Sequence, residues 1–172
     1  MSNWFLSYGF ADVGEHLLMG AMPCDPADVK TLSRLGVSKV INLVEDSEYQ
    51  RGERHSVERA LGAAGITELR LSTVDYGGLA PSLLDTAVSQ VSGWLDQGDI
   101  VYIHCRAGWQ RSATVAAAVL TERDGSTPEL ALRKLQSRKP SAEPLPHQRD
   151  DLNRWWDQRQ AGSQPERRPA AG

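Results

Sequence analysis

Cysteine is scarce in this chain: its 172 residues include only Cys24 and Cys105. Two thiols so far apart make no disulfide framework, which excludes a stapled secreted scaffold and favours a reducing compartment. Long apolar runs are missing as well. No stretch reaches the roughly 20 residues that a membrane-crossing helix needs, and the N-terminus lacks the charged-then-apolar order of a secretory leader. Charge of one sign is not in excess either. Nineteen basic and 22 acidic residues leave a net charge of −3, so a general nucleic-acid binder is excluded and any attraction for phosphate must be local. His16, His55 and His147 lack partners at metal-ligand spacing, and neither a metal nor another cofactor is expected. There is no Gly-Lys-Ser/Thr triplet of the Walker type and no internal repeat. What is left is a chain 40% hydrophobic and of one-domain length. It reads as a small cytoplasmic protein with a single domain over residues 1–160. A Pro/Arg/Ala-rich tail over 161–172 is expected to be disordered.

Partial alternation of apolar and polar residues over 15–22, alternation over 67–73, a mostly apolar segment over 39–44 that reads as buried, and an unbroken apolar run over 100–103 read as strands. Asp25 as N-cap with Pro26 in the first turn opens a helix that Gly36 stops. Further helices are predicted over 56–64, over Pro81–Asp96 up to Gly98, and over 112–122, the last apolar on nearly every side. Two more start at Thr127-Pro128-Glu129 and near Asp150, where Leu152, Trp155 and Trp156 have core spacing over 150–160. Strands alternating with helices predict an α/β protein with a central, mainly parallel sheet flanked by helices on both faces. Ligands bind at the carboxyl ends of the strands in such sheets.

One such end carries the most specific feature, Val101-Tyr102-Ile103-His104-Cys105-Arg106-Ala107-Gly108-Trp109-Gln110-Arg111-Ser112. An apolar strand ends in His-Cys, five residues follow, and Arg-Ser begins an apolar helix. A cysteine is nucleophilic only as thiolate. At a helix N-terminus, unpaired N–H groups and the positive end of the helix dipole favour that anion, and the same groups can hold phosphate oxygens. This layout assigns Cys105 as nucleophile and the segment Arg106, Ala107, Gly108, Trp109, Gln110 and Arg111 as phosphate cradle. Arg111 supplies a planar fork that Lys cannot. Ser112 is placed to donate its hydroxyl to the Cys105 sulfur. His104 reads as an orienting residue that pins the loop from beneath through its ring nitrogens.

Through these residues the chain resembles the dual-specificity branch of the cysteine-dependent phosphatases, over about residues 14–156. Within that branch it is most similar to the mitochondrial-type lipid-selective members that act on phosphatidylglycerophosphate. The run Glu68-Leu69-Arg70-Leu71-Ser72-Thr73-Val74-Asp75 and the segment Arg111-Ser112-Ala113-Thr114 carry that closer match. The resemblance implies phosphate-monoester hydrolysis through a phosphocysteine intermediate, without metal. It also implies that Asp75, ahead of the loop Tyr76-Gly77-Gly78, is the general acid; by residues alone, Asp75 reads equally as a turn aspartate. Asp46 is the weaker rival. Trp109 and Gln110 depart from the small or basic residues usual in the lipid-selective relatives.

Substrate choice stays open between a phospholipid, a phosphoprotein and a small phosphorylated molecule. A phosphate-binding pseudoenzyme and a sulfur-transfer thiol enzyme are the remaining alternatives. Trp109 reads equally as a contact for a membrane surface or aryl phosphate and as a packing residue. Although it resembles the acidic-aromatic segment that borders the site in the lipid-selective relatives, the acidic loop Glu45-Asp46-Ser47-Glu48-Tyr49 reads mainly as solvated. So does the basic cluster Arg133, Lys134, Arg138 and Lys139. Gln148 is a minor candidate for a place near the attacking water. Cys24 is expected to be an inert strand-end thiol rather than a resolving partner for Cys105.

Overall fold

A computed structural model describes residues 1–163. Five strands form one sheet in the order β1-β2-β5-β3-β4. They are β1 Phe10–Gly14, β2 Leu17–Ala21, β3 Val37–Asn42, β4 Thr67–Arg70 and β5 Ile100–Cys105. Only the edge pair β1–β2 is antiparallel; β2–β5, β5–β3 and β3–β4 run parallel. Seven helices accompany them: α1 Asn3–Tyr8, α2 Pro26–Arg34, α3 Glu53–Ala63, α4 Pro81–Asp96, α5 Arg111–Asp124, α6 Pro128–Arg138 and α7 Pro146–Ser163. The expected α/β architecture, with a mainly parallel sheet between two helical layers, is the observed one.

The pleat of β5 sorts the core. Val101, Ile103 and Cys105 point to one face, among residues from α4, α5, α6 and α7; Tyr102 points to the other, with residues from α1, α2 and α3. Each large apolar side chain so buried contributes about 1.5–3 kcal/mol. The α5 helix is apolar on nearly every side because it lies under the sheet between α4, α6 and α7. Parallel register sets Ala21 of β2 beside Cys105 and Asn42 of β3 beside His104, so three strand ends meet where β5 passes into α5.

Several boundaries differ from the sequence reading. The strand expected over 15–22 is shorter, because His16 turns the chain with φ 56°. The β4 ladder stops at Arg70 rather than at residue 73. Beyond it Leu71 and Thr73 still donate their amides to Asn42 and Leu43, which keeps this segment alongside β3. The last helix starts at Pro146, earlier than expected, because Gln148 Oε1 accepts the Leu145 amide at 3.0 Å and caps the first turn. It also continues to Ser163, past the expected domain end at 160. Of the expected tail, residues 164–172 lie outside the described residues.

Two elements had no counterpart in the sequence reading, α1 and β1. Ser2 caps α1 by accepting the Phe5 amide and is itself held by Asp28, to which its hydroxyl donates at 2.6 Å.

Candidate active site

The turn from β5 into α5 wraps residues 105–111 into a tight loop. Gly108 adopts φ +73°, and a Cβ there would lie 2.3 Å from the Gly20 carbonyl carbon. Only glycine satisfies both the conformation and this approach. Loop carbonyls are anchored in the surrounding protein: Arg106 O accepts the Met22 amide and Trp4 Nε1, and Trp109 O accepts the Glu143 amide. In a trans peptide the next N–H points opposite to the carbonyl, so anchoring these carbonyls outward turns the Ala107 and Gln110 amides towards the loop's interior. Cys105, 3% exposed, sits at the centre with Sγ 3.2 Å from Ser112 Oγ.

Arg111 is fully inside the protein, and its terminal nitrogens are not idle. They donate to both carboxylate oxygens of Glu48 at 2.8 and 2.7 Å, to Thr73 O at 2.8 Å and to Leu43 O at 3.3 Å. Nη2 also lies 2.9 Å from Asp75 Oδ1. Burial disfavours the Arg111 cation, but the hydrogen bond to Glu48 and the charges of Cys105, Glu48 and Asp75 outweigh it and raise its pKa further. Burial likewise pushes Glu48 up. Hydrogen bonds from Arg111 and the Glu45 amide, with the charges of Arg111 and Arg106, overcome this and hold its carboxyl below the ordinary value.

The acidic loop is therefore not simply solvated. Its Asp46 is exposed and pairs with Arg70, but the Glu48 side chain is only 9% exposed. Glu48 is the functional residue that sequence reasoning missed. Its three-residue helical turn, Asp46–Glu48, follows β3 and brings it under Arg111, some 60 residues away in sequence. Asp75 lines a cavity together with Cys105 and Arg111, whereas Asp46 does not.

That cavity, of about 180 Å³, has Cys105, Arg106, Ala107, Gln110 and Arg111 at its base and Asp75 and Tyr76 on one side. The opposite wall is aromatic. Trp4 and Tyr8 of α1 lie 4.2 Å apart between ring centroids, and Tyr8 packs on Trp109 at 5.1 Å. Of the two readings of Trp109, the packing one is seen in its contact with Tyr8; the ring remains 40% exposed. Arg106 lies over the Trp4 ring at 4.6 Å and donates to Glu48 O.

The His104 ring is buried and stacks on Tyr102 at 5.9 Å, and a hydrogen bond with the Cys105 backbone is the contact it offers the loop. Burial, opposed by the Cys105 backbone, pulls its pKa down to about 3. The folded protein therefore keeps this ring neutral while the unfolded chain protonates it near pH 6.5. Between those values the unfolded state binds more protons, so stability rises with pH and is lost on acidification. Going from pH 6.5 to 5 should remove about 1.6 kcal/mol through this one residue. Urea unfolding at the two pH values checks this, and His104→Gln should flatten the difference by that amount.

Three further residues depart from the bland reading or refine it. Lys139 is buried rather than solvated; its Nζ donates to Tyr8 O at 3.0 Å and ties α6 to the end of α1. Gln148 is fully buried, donating to Gly77 O and accepting from Leu145 N, so both ends of its amide are committed away from the cavity. Burial first, then the charge and hydrogen bond of Glu53, push the Cys24 thiol up to about 12, as suits an inert cysteine.

Comparison with known proteins adds the following. Residues 22–158 match the model described as dual specificity phosphatase, catalytic domain. The chain is 34% identical over 121 residues to the mouse phosphatidylglycerophosphatase and protein-tyrosine phosphatase 1, an alignment covering 69% of this chain and 61% of the relative. It is 36% identical over 140 residues to the Arabidopsis thaliana phosphatidylglycerophosphate phosphatase PTPMT2, covering 80% and 58%. These matches span about three-fifths of the curated relatives' length. Among solved structures, PTPMT1 in complex with PI(5)P superposes with a TM-score of 0.79 at 27% identity, over 90% of this chain and 99% of that one.

Proposed function

The chain belongs to the dual-specificity phosphatase family, and from this premise we propose that it hydrolyses phosphate monoesters through a phosphocysteine intermediate. The observation that carries the reading is a single cavity holding Cys105, with Ser112 Oγ 3.2 Å from its sulfur, together with Arg111 and Asp75. Ser112 and the start of α5 stabilise the Cys105 thiolate, which attacks phosphorus in line. As the S–P bond forms, the P–O bond to the alcohol breaks, and Asp75 in its acid form protonates the departing oxygen. Arg111 and the loop amides hold the equatorial oxygens, where preorganised donors contribute most. Water then attacks the phosphocysteine, Asp75 as carboxylate takes its proton, and the S–P bond breaks to return the thiolate. His104, neutral and buried, moves no proton in this scheme. Glu48 serves by fixing the Arg111 fork. The substrate phosphate takes the place that Asp75 occupies on Arg111 Nη2, which frees Asp75 for the leaving oxygen.

A phospholipid is the preferred substrate class, with phosphatidylglycerophosphate the first candidate. The names of the mouse and Arabidopsis relatives support it. So does the cavity lining, where the large side chains of Tyr76 and Trp109 stay exposed. Such side chains suit contact with a lipid surface. No helix among the described residues is long and apolar enough to cross a membrane. A reducing compartment such as the cytoplasm would keep Cys105 a thiol. The aromatic wall favours a second reading, since Trp4, Tyr8 and Trp109 would equally flank the ring of a phosphotyrosine.

Phosphate release from micellar phosphatidylglycerophosphate, measured beside a soluble phosphotyrosine peptide, separates the two. A lipid preference of about tenfold or more in kcat/KM is expected, since about 1.4 kcal/mol of extra transition-state contact suffices for it. Equal or better peptide turnover would replace the lipid reading with a broad protein phosphatase. Binding without release from either would identify a pseudoenzyme, and sulfite release from thiosulfate, with the outer sulfur left on Cys105 as a persulfide, a sulfur transferase.

A further inference from the structure

The loop that carries Asp75 is held in an unusual shape. Tyr76, directly after the aspartate, has φ 59°, a left-handed conformation that costs an L-residue about 1–2 kcal/mol. The turn closes on itself, with Gly77 N donating to Val74 O at 2.9 Å and Tyr76 N to Asp75 Oδ1 at 3.1 Å. Nothing in a turn this short makes the strained conformation the preferred one, so the surroundings must impose it.

The first two turns of α7 do so. His147 Nε2 meets Tyr76 O at 2.9 Å, Gln148 Nε2 donates to Gly77 O at 2.8 Å, and Asp151 Oδ2 accepts the Leu79 amide at 2.8 Å. A Cβ on Gly78 would lie 2.8 Å from that same Asp151 oxygen, so loop and helix are in direct contact along four consecutive residues. The helix is itself fixed: Leu152 and Trp155 are buried in the core, and Trp155 Nε1 donates to Asp85 on α4 at 2.8 Å. Gln148 is the rigid point of the contact, being fully buried with its other amide end taken by Leu145 N.

We propose that Gln148 and Asp151 are positioning residues for proton transfer, holding the Asp75 loop so that its carboxyl faces the leaving oxygen above Cys105. This inference rests on Asp75 being the general acid. A residue that only stabilised the fold would slow all substrates alike. One that aims the acid matters most where the leaving group cannot depart unprotonated.

The test compares kcat/KM for p-nitrophenyl phosphate, whose leaving group needs little help from an acid, with that for glycerol phosphate, whose alkoxide does. Both are measured on one preparation of the full chain, so the folded fraction cancels from the ratio. Asp75→Asn should lower the alkyl-to-aryl ratio by roughly 10²-fold. Gln148→Leu and Asp151→Ala should each lower it about tenfold. Asp151→Asn, which keeps an oxygen to accept the Leu79 amide, should stay within about twofold of the parent. An unchanged ratio in Gln148→Leu and Asp151→Ala, beside a shifted one in Asp75→Asn, overturns the proposal alone. An unchanged ratio in Asp75→Asn removes the acid assignment and the proposal with it. Should Gln148→Leu yield no active protein, the two Asp151 variants decide.

Discussion

Cys105→Ser should fold like the parent protein yet release phosphate at least about 10⁴-fold more slowly. Oxygen for sulfur is a small change in a side chain that is 3% exposed, so the stability difference should stay within about 1 kcal/mol. Chemically the change is large. A serine alkoxide is far less accessible than a thiolate, and a serine nucleophile needs an adjacent base. No such base is at hand: His104, with its pKa near 3, is a poor proton acceptor, and the neighbour at 3.2 Å is the neutral Ser112 hydroxyl. Arg111 and the loop amides are untouched by the substitution, so the variant should still bind inorganic phosphate or an unreactive phosphonate. Phosphate release and phosphonate affinity, measured together, check the prediction. Residual turnover above about 1% in a folded Cys105→Ser protein would rule out the covalent route, since it exceeds what the remaining donors supply without a nucleophile.

How much of this was legible beforehand depended on whether the parts lie together in sequence. The Cys105–Ser112 loop did, because one strand-to-helix turn delivers nucleophile, cradle and hydroxyl donor from eight consecutive residues. The layered sheet was legible too, since apolar runs and helix caps are local signals. Glu48 was not. An acidic loop next to no local cation reads as solvated, and only the packing of β3 beside β5 shows that Arg111 pairs with it. Lys139 failed for the same reason: a lysine at the end of a basic helix reads as surface until Tyr8, 131 residues away, takes its ammonium. The wall formed by α1 was hidden because six residues carry little periodicity, although Ser2 with Trp4, Phe5 and Tyr8 was a usable cap-and-face signal.

Arg111→Lys tests the other half of the site, and its expected effect is nearly as large. A lysine ammonium carries three donors on one atom. It cannot at once engage both Glu48 oxygens, Thr73 O, Leu43 O and Asp75 Oδ1, which the guanidinium does over two nitrogens. The kcat/KM should fall by about 10³-fold, the scale set by losing a preorganised donor to the developing charge. Arg111→Ala should go further and also destabilise the fold by about 3–5 kcal/mol, because it removes the guanidinium that pairs with the buried Glu48 carboxylate. The sign of the pH dependence then separates the two roles. In the parent, Glu48 has a depressed pKa, so the stability it contributes is present above the ordinary carboxylate range and is lost as pH falls through the folded value. In Arg111→Ala only the Glu45 amide and the Arg106 charge still oppose burial, so the Glu48 pKa rises from its parent value and the destabilisation relative to the parent should grow as pH rises through the ordinary carboxylate range. Adding Glu48→Gln to Arg111→Ala removes the buried charge and should restore most of the stability near neutral pH without restoring activity. Urea unfolding and phosphate release on the three variants measure both. Recovery of activity in the double variant would mean that Arg111 acts only by neutralising Glu48, and that the phosphate is held by the loop amides alone.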